Sequence, residues 1–233
     1  MGPAGAPGPA GPALNALPSR EEYLRDWSRL HGGAAPTGLV GWWIGGAYRV
    51  ARPLARAGAG PDAVTLAGLA VALGAAATAS AGGPGRWLLA ASVLVVVSGV
   101  LDNLDGAVAV LTGRASARGF VLDSVCDRLA DGAYVAALAW AGAPGALAVA
   151  AGAIAWLHEY TRARAAVAGM PEVGVVTVAE RPTRVIVTAM FLLGAGLYPS
   201  AAGGWATAGA AAWIGTGVIG GAQLAVTVAR RLR

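Results

Sequence analysis

Lysine is absent from this chain: all 17 basic residues are arginine, 12 residues are acidic, and charged residues make up only 12% of the 233. A soluble domain carries about 25% charged residues, so a fully water-facing surface is excluded. Hydrophobic residues reach 56%, and mean hydropathy is +0.60. The one cysteine, Cys126, excludes an intramolecular disulfide and any thiolate cluster for zinc, and it reads as a small core residue. Met1 to Ser19 lacks the basic region and the continuous apolar region of a secretory leader. Within it, the Gly/Pro/Ala-rich residues 1–18 read as a disordered tail. The pI near 10.1 raises nucleic acid as a partner. The arginines nevertheless fall in short stretches between apolar runs, not on one basic face with interleaved aromatics, so no nucleic-acid partner is expected.

Long apolar runs are what the chain does have. A membrane-spanning helix needs about 20 mostly apolar residues, and six segments qualify: 62–82, 86–110, 119–141, 145–165, 183–200 and 204–228. The expected fold is therefore all-α, a polytopic membrane protein whose residues 57–233 form one six-helix domain. Arginines mark alternate loops: Arg49, Arg52 and Arg56 before the first segment, Arg114 and Arg118 between the second and third, and Arg162, Arg164, Arg181 and Arg184 between the fourth and fifth. Arg230, Arg231 and Arg233 close the chain. The intervening loops carry no charge beyond Arg86 at one edge. By the positive-inside rule both termini and the 111–118 loop are expected in the cytoplasm.

Residues 19–56 precede the first run. Ser19 to His31 is highly charged, with Tyr23, Leu24, Trp27 and Leu30 recurring at helical spacing, which predicts an interfacial amphipathic helix. Thr37 to Ala55 sets Trp42, Trp43 and Tyr48 beside Arg49 and Arg52 and is read as a second interfacial helix, with a seventh span as the alternative.

Against this background four aspartates stand out. Asp102, Asp105, Asp123 and Asp127 lie inside apolar segments, where one carboxylate costs about 2.5–3.5 kcal/mol on insertion scales. Residues three or four apart share a helix face, so Asp102 pairs with Asp105 and Asp123 with Asp127. The short 111–118 loop allows the two pairs to converge. Four unneutralised carboxylates repel, and oxygen donors without His or Cys suit Mg²⁺, Mn²⁺ or Ca²⁺. Gly106, Ala109 and Gly119 are small residues one turn from these acids; they permit either close approach of a substrate or tight helix packing.

Taken together the spacing is Asp102-x2-Asp105-Gly106-x2-Ala109, then Gly119-x3-Asp123-x3-Asp127. It resembles the signature of the CDP-alcohol phosphotransferase (CDP-alcohol phosphatidyltransferase) family, D-x2-D-G-x2-A-R-x8-G-x3-D-x3-D, with seven of eight positions matched. The layout of residues 37–228 is also similar to that family. The resemblance implies transfer of a phosphatidyl or other phosphoalcohol group from CDP-diacylglycerol or a related CDP-alcohol to a hydroxyl acceptor, with release of CMP, in phospholipid biosynthesis. It implies two Mg²⁺ or Mn²⁺ ions held by Asp102, Asp105, Asp123 and Asp127, with Asp127 also the general base. It places Gly106, Ala109 and Gly119 in the CDP pocket, with Thr65 touching the nucleotide. A multi-pass protein of a bacterial plasma membrane, with its site facing the cytoplasm, is the expected setting.

The departure is Val110, where the signature has Arg. Either Arg114 or Arg118 supplies that charge, or the chain is an atypical, weakly active member. Arg181 and Arg184, in the segment Glu180-Arg-Pro-Thr-Arg184, resemble family segments that bind a phosphorylated acceptor such as inositol phosphate or glycerol phosphate; positive-inside anchoring is the alternative. Asp131 reads as a carboxylate supporting the site or as an ion-pair partner of an arginine. His158 begins no HExxH motif, because Arg162 stands at the second His position. Gly217 and Gly221 have a GxxxG spacing compatible with a homodimer. A transporter or cation channel with an acidic membrane site is the alternative from a different functional class.

Overall fold

The computed structural model describes residues 17–30, 33, 35, 37–170 and 176–232. Most of the expected tail, 1–16, lies outside the described residues, as does His31. Among the described residues there are eight α-helices and no strand. They are α1 (Arg20–Leu30), α2 (Gly38–Arg56), α3 (Pro61–Ala81), α4 (Arg86–Thr112), α5 (Ala117–Trp140), α6 (Gly145–Val167), α7 (Arg181–Leu197) and α8 (Ala202–Arg231). A 3-10 turn, Pro199–Ala201, joins the last two.

Helices α3 to α8 coincide with the six apolar segments to within a few residues. Among the described residues three helical stretches are long and apolar enough to cross a membrane: Pro61–Ala81, Arg86–Thr112 and Pro199–Arg231. The other three are shorter or carry more charge. Helix α7 has 17 residues, α5 holds Arg118, Asp123, Asp127, Arg128 and Asp131, and α6 holds Glu159, Arg162 and Arg164.

The chain divides into two compact units. The first comprises the chain up to Thr65 with Asp102–Leu122; the second comprises Leu66–Leu101 with Asp123–Arg233. In the first unit α1 packs on α2. The Tyr23 and Tyr48 rings meet with centroids 5.3 Å apart, and the Tyr48 hydroxyl donates to the Pro18 carbonyl at 3.1 Å. Trp42 and Trp43 on α2 are exposed.

The second unit has an alanine-lined core. Ala72 and Ala75 of α3, Ala91 of α4, Ala137 of α5, Ala151 of α6, Ala195 of α7 and Ala206 of α8 are almost fully buried, around Leu88, Tyr134, Leu138, Leu192 and Trp213. Small side chains let helices approach closely, so dispersion substitutes for a water-driven core. Buried hydrogen bonds add register: Tyr134 Oη to Ser98 Oγ at 2.9 Å, Ser98 Oγ to the Gly68 carbonyl at 2.9 Å, and Trp213 Nε1 to Thr188 Oγ1 at 3.0 Å. Such bonds are worth about 0.6 kcal/mol each in a membrane protein. The outward faces are apolar, with Val93, Val96 and Val97 of α4 and Val218 and Ile219 of α8 exposed, as a lipid-facing surface requires.

Gly142 caps α5 at φ +114°, a region that only glycine enters without strain, and an added Cβ would lie 2.8 Å from the Gly203 Cα. Gly217 is buried against Ile154 of α6, whereas nothing lies within 4 Å of a Cβ added at Gly221.

Candidate functional site

In the first unit the site residues gather at the C-terminal end of α4 and the start of α3. Asp102 and Asp105 share a face of α4, Asp102 half-buried and Asp105 buried. Thr65 Oγ1 lies 2.6 Å from Asp105 Oδ2 and 3.1 Å from the Pro61 carbonyl, and its single proton is best given to the carboxylate. Thr65, expected at the nucleotide, thus fixes the orientation of Asp105. The Gly106 N–H donates to Asp105 Oδ1 at 2.5 Å, and nothing lies within 4 Å of where a Gly106 side chain would start. Ala109 is half-buried one turn on.

Val110 is also half-buried, and its carbonyl accepts from the Gly113 N–H at 3.3 Å, while the Arg114 N–H donates to the Ala109 carbonyl at 3.0 Å. These two bonds, with Gly113 at φ +63°, form a Schellman stop that turns Arg114 back toward α3. Arg114 Nη1 lies 3.8 Å from the position of a Cβ added to Gly60. Arg118 is exposed on the first turn of α5. A Cβ added at Gly119 would meet Ser116 Oγ at 3.2 Å and Asp62 Oδ1 at 3.4 Å, so only a very small residue fits there.

In the second unit Asp123 and Asp127 lie one turn apart on α5, each half-buried, with a carboxylate oxygen of one within 4.8 Å of one of the other. Arg181 reaches Asp127 from the start of α7: its Nη1 lies 2.7 Å from Asp127 Oδ1 and donates to the Asp127 carbonyl oxygen at 3.0 Å. The Glu-Arg-Pro-Thr-Arg sequence explains this placement. Glu180 is the N-cap and Pro182 sits in the first turn, where its missing N–H costs nothing, so Arg181 and Arg184 leave the helix three residues apart on one side.

Behind Arg181 lies a dense ion cluster. Arg184 contacts Asp131 and Glu159, and its Nε donates to the Ala179 carbonyl at 2.9 Å. Arg128 lies 3.1 Å from Asp131 and 3.5 Å from Glu159. Removing one partner of such a buried pair costs about 3–5 kcal/mol, because the other charge is left uncompensated. Arg162 holds Glu180 with both terminal guanidinium nitrogens, one at 3.0 Å, and Thr177 adds its N–H to Glu180 at 2.9 Å and its hydroxyl at 3.1 Å. Burial alone would raise the Glu180 carboxyl; the Arg162 guanidinium and the Thr177 donors hold it below its ordinary value. His158 is buried, with Nε2 3.2 Å from Thr177 Oγ1, which gives it a structural partner.

Reasoning from sequence reached Asp127, Asp131, Arg181 and Arg184, but neither Glu159 as the partner of Arg184 nor the separate group of Arg162, Glu180 and Thr177. Periodicity along one helix carries no signal for a pairing between α5, α6 and α7. The one available clue was the charge content of α6, too high for a purely lipid-facing helix.

The donor chemistry fits a hard divalent ion: carboxylate oxygens spaced one turn apart, with no imidazole in the motif and its one thiol, Cys126, buried at a position outside the signature. The sequence model of the CDP-alcohol phosphatidyltransferase family matches residues 59–229. A phosphatidylinositol phosphate synthase of Mycolicibacterium smegmatis is 39% identical over 155 residues, 64% of this chain and 66% of that protein. The chain thus spans just under two thirds, or less, of the length of such curated relatives. The solved Mycobacterium tuberculosis phosphatidylinositol phosphate synthase in complex with manganese and citrate is similar at TM-score 0.62 and 30% identity, over 78% of this chain and 88% of that one. The same enzyme with CDP-DAG bound gives 0.60 and 29%, over 78% and 92%. With that match running across the aspartate motif of α4 and α5, this chain belongs to the CDP-alcohol phosphatidyltransferase family.

Proposed function

We propose that this protein transfers the phosphatidyl group of CDP-diacylglycerol to a hydroxyl of a phosphorylated acceptor, inositol phosphate first among them, and releases CMP. The acceptor assignment is carried by one observation: Arg181 lies 2.7 Å from Asp127. An acceptor bearing both a hydroxyl and a phosphate can present the first to Asp127 and the second to Arg181, with the forked guanidinium matching a phosphate. The relatives named above as phosphatidylinositol phosphate synthases support the same reading.

In this reading Asp127 takes the proton of the acceptor hydroxyl. That oxygen forms a new bond to the phosphorus carrying the diacylglycerol, and the bond from this phosphorus to the bridging oxygen breaks, so CMP leaves with the electron pair. Asp102 and Asp105 of α4 and Asp123 and Asp127 of α5 are the proposed ligands of Mg²⁺ or Mn²⁺. When bound, the ions neutralise the pyrophosphate and the departing CMP. Thr65 positions Asp105. Gly106, Ala109 and Gly119 are the proposed lining for the cytidine end, with open space at Gly106. Arg114 supplies the charge that Val110 lacks.

The six helices α3 to α8 are proposed to cross a bacterial plasma membrane, with α1 and α2 at its surface and both termini and the aspartate motif at the cytoplasmic side. The exposed apolar faces and the arginine-bearing alternate loops support this.

An acceptor panel with labelled CDP-diacylglycerol and Mn²⁺ tests the assignment. The expected lipid product forms from inositol phosphate, with glycerol phosphate weaker; product from serine or phosphatidylglycerol alone would overturn the phosphorylated-acceptor assignment. For the departed motif position, Val110→Arg is expected to leave the rate of CMP release within about tenfold of wild type, because Arg114 already fills the role. A nearly inactive wild type rescued by Val110→Arg would instead mark a weakened family member.

A further inference from the structure

The ion cluster behind Arg181 has a topology that separates the two arginines of the Glu180–Arg184 segment. Arg184 contacts both Asp131 and Glu159, and Arg128 contacts the same two carboxylates. Two cations and two anions thus form a ring joining α5, α6 and α7, with His158 Nδ1 standing 3.7 Å from Glu159 at its edge. Asp131 is fully buried and Arg184 is 3% exposed. With Nη1 on Asp131, Nη2 on Glu159 and Nε on the Ala179 carbonyl, every nitrogen of the Arg184 guanidinium is engaged by protein. Arg181 differs. It stands outside the ring, 4.0 Å from Asp131, and holds Asp127.

We infer that Asp131, Glu159, Arg128 and Arg184 are a positioning ring, which commits Arg184 to the protein and leaves Arg181 as the arginine of this segment that meets the acceptor phosphate. The inference rests on the proposed function for its acceptor and on ring geometry for the rest. Neutralising one ring member leaves an odd charge in a largely buried cluster; the freed arginine is then drawn toward Asp127, whose Oδ2 lies 3.8 Å from Arg128. Removing one cation and one anion together leaves the Arg128–Glu159 pair intact and neutral.

The test uses the purified full chain with CDP-diacylglycerol, Mn²⁺ and the acceptor that the panel selects. Asp131→Asn is expected to lower kcat at least about tenfold, and Arg184→Gln similarly. The double variant Asp131→Asn/Arg184→Gln is expected to exceed both single variants in kcat by at least about fivefold, with acceptor KM within about threefold of wild type. Arg181→Gln is expected to raise acceptor KM more than about tenfold with donor KM unchanged. A double variant whose acceptor KM is raised as far as that of Arg184→Gln overturns the inference, because Arg184 then touches the acceptor. Unchanged kcat and KM in Asp131→Asn also overturns it, reducing the ring to packing. Should Asp131→Asn not fold, Glu159→Gln and Glu159→Gln/Arg128→Gln read the opposite edge by the same criteria. If wild type yields no lipid product from any acceptor, the functional reading fails. The ring is then judged by melting temperature alone, a double variant no more stable than its singles counting against it.

Discussion

Asp127→Asn is expected to abolish turnover while leaving the helices intact. Asn has the same shape but accepts no proton at neutral pH, so the acceptor hydroxyl loses its base; that alone costs about 10²–10⁴-fold. The residue is also a proposed metal ligand, and the substitution weakens that bond too. Arg181 lies 2.7 Å from the carboxylate it would lose but keeps its bond to the Asp127 carbonyl oxygen at 3.0 Å, so the start of α7 keeps its anchor. CMP release measures the rate, and a melting curve checks the fold. A folded Asp127→Asn protein within about tenfold of wild type would remove Asp127 from the role of base.

Removing the metal is expected to have an effect as large. Four carboxylates in one motif repel unless positive charge offsets them, and a bound divalent ion would also offset the charge of the leaving CMP. A Lewis-acid contribution of about 4 kcal/mol corresponds to about a thousandfold in rate. Chelator-treated protein should release CMP at background, and Mn²⁺ or Mg²⁺ should restore it. Full activity in chelator, with the metal content verified as zero, would contradict the assignment of the carboxylates.

The sequence made the helices legible because each apolar run is bounded by punctuation that the backbone uses. Gly113 and Gly142 close α4 and α5 at positive φ, and Pro182 opens α7. The aspartate motif was legible because its spacing follows a single helix face. What escaped was everything that depends on one helix meeting another. Thr65 was singled out for the nucleotide, and nothing along its own helix foretold that its hydroxyl lies 2.6 Å from Asp105, forty residues away. Glu159 belongs to no motif, yet it closes a ring with residues of α5 and α7. Gly217 and Gly221 share one spacing, yet Ile154 packs against the first and nothing lies within 4 Å of a Cβ added at the second. A pattern of period 3.6 reports which face a residue occupies and says nothing of what stands opposite.

The central claim is that a carboxylate motif on α4 and α5 runs a metal-dependent transfer from a CDP-linked lipid. The most direct measurement is CMP release from CDP-diacylglycerol by the purified full chain with Mn²⁺, with and without inositol phosphate. Release that requires both the ion and the acceptor, with one phosphorylated lipid formed per CMP, is the predicted result. Cation flux through proteoliposomes with no CMP release under any acceptor would contradict it.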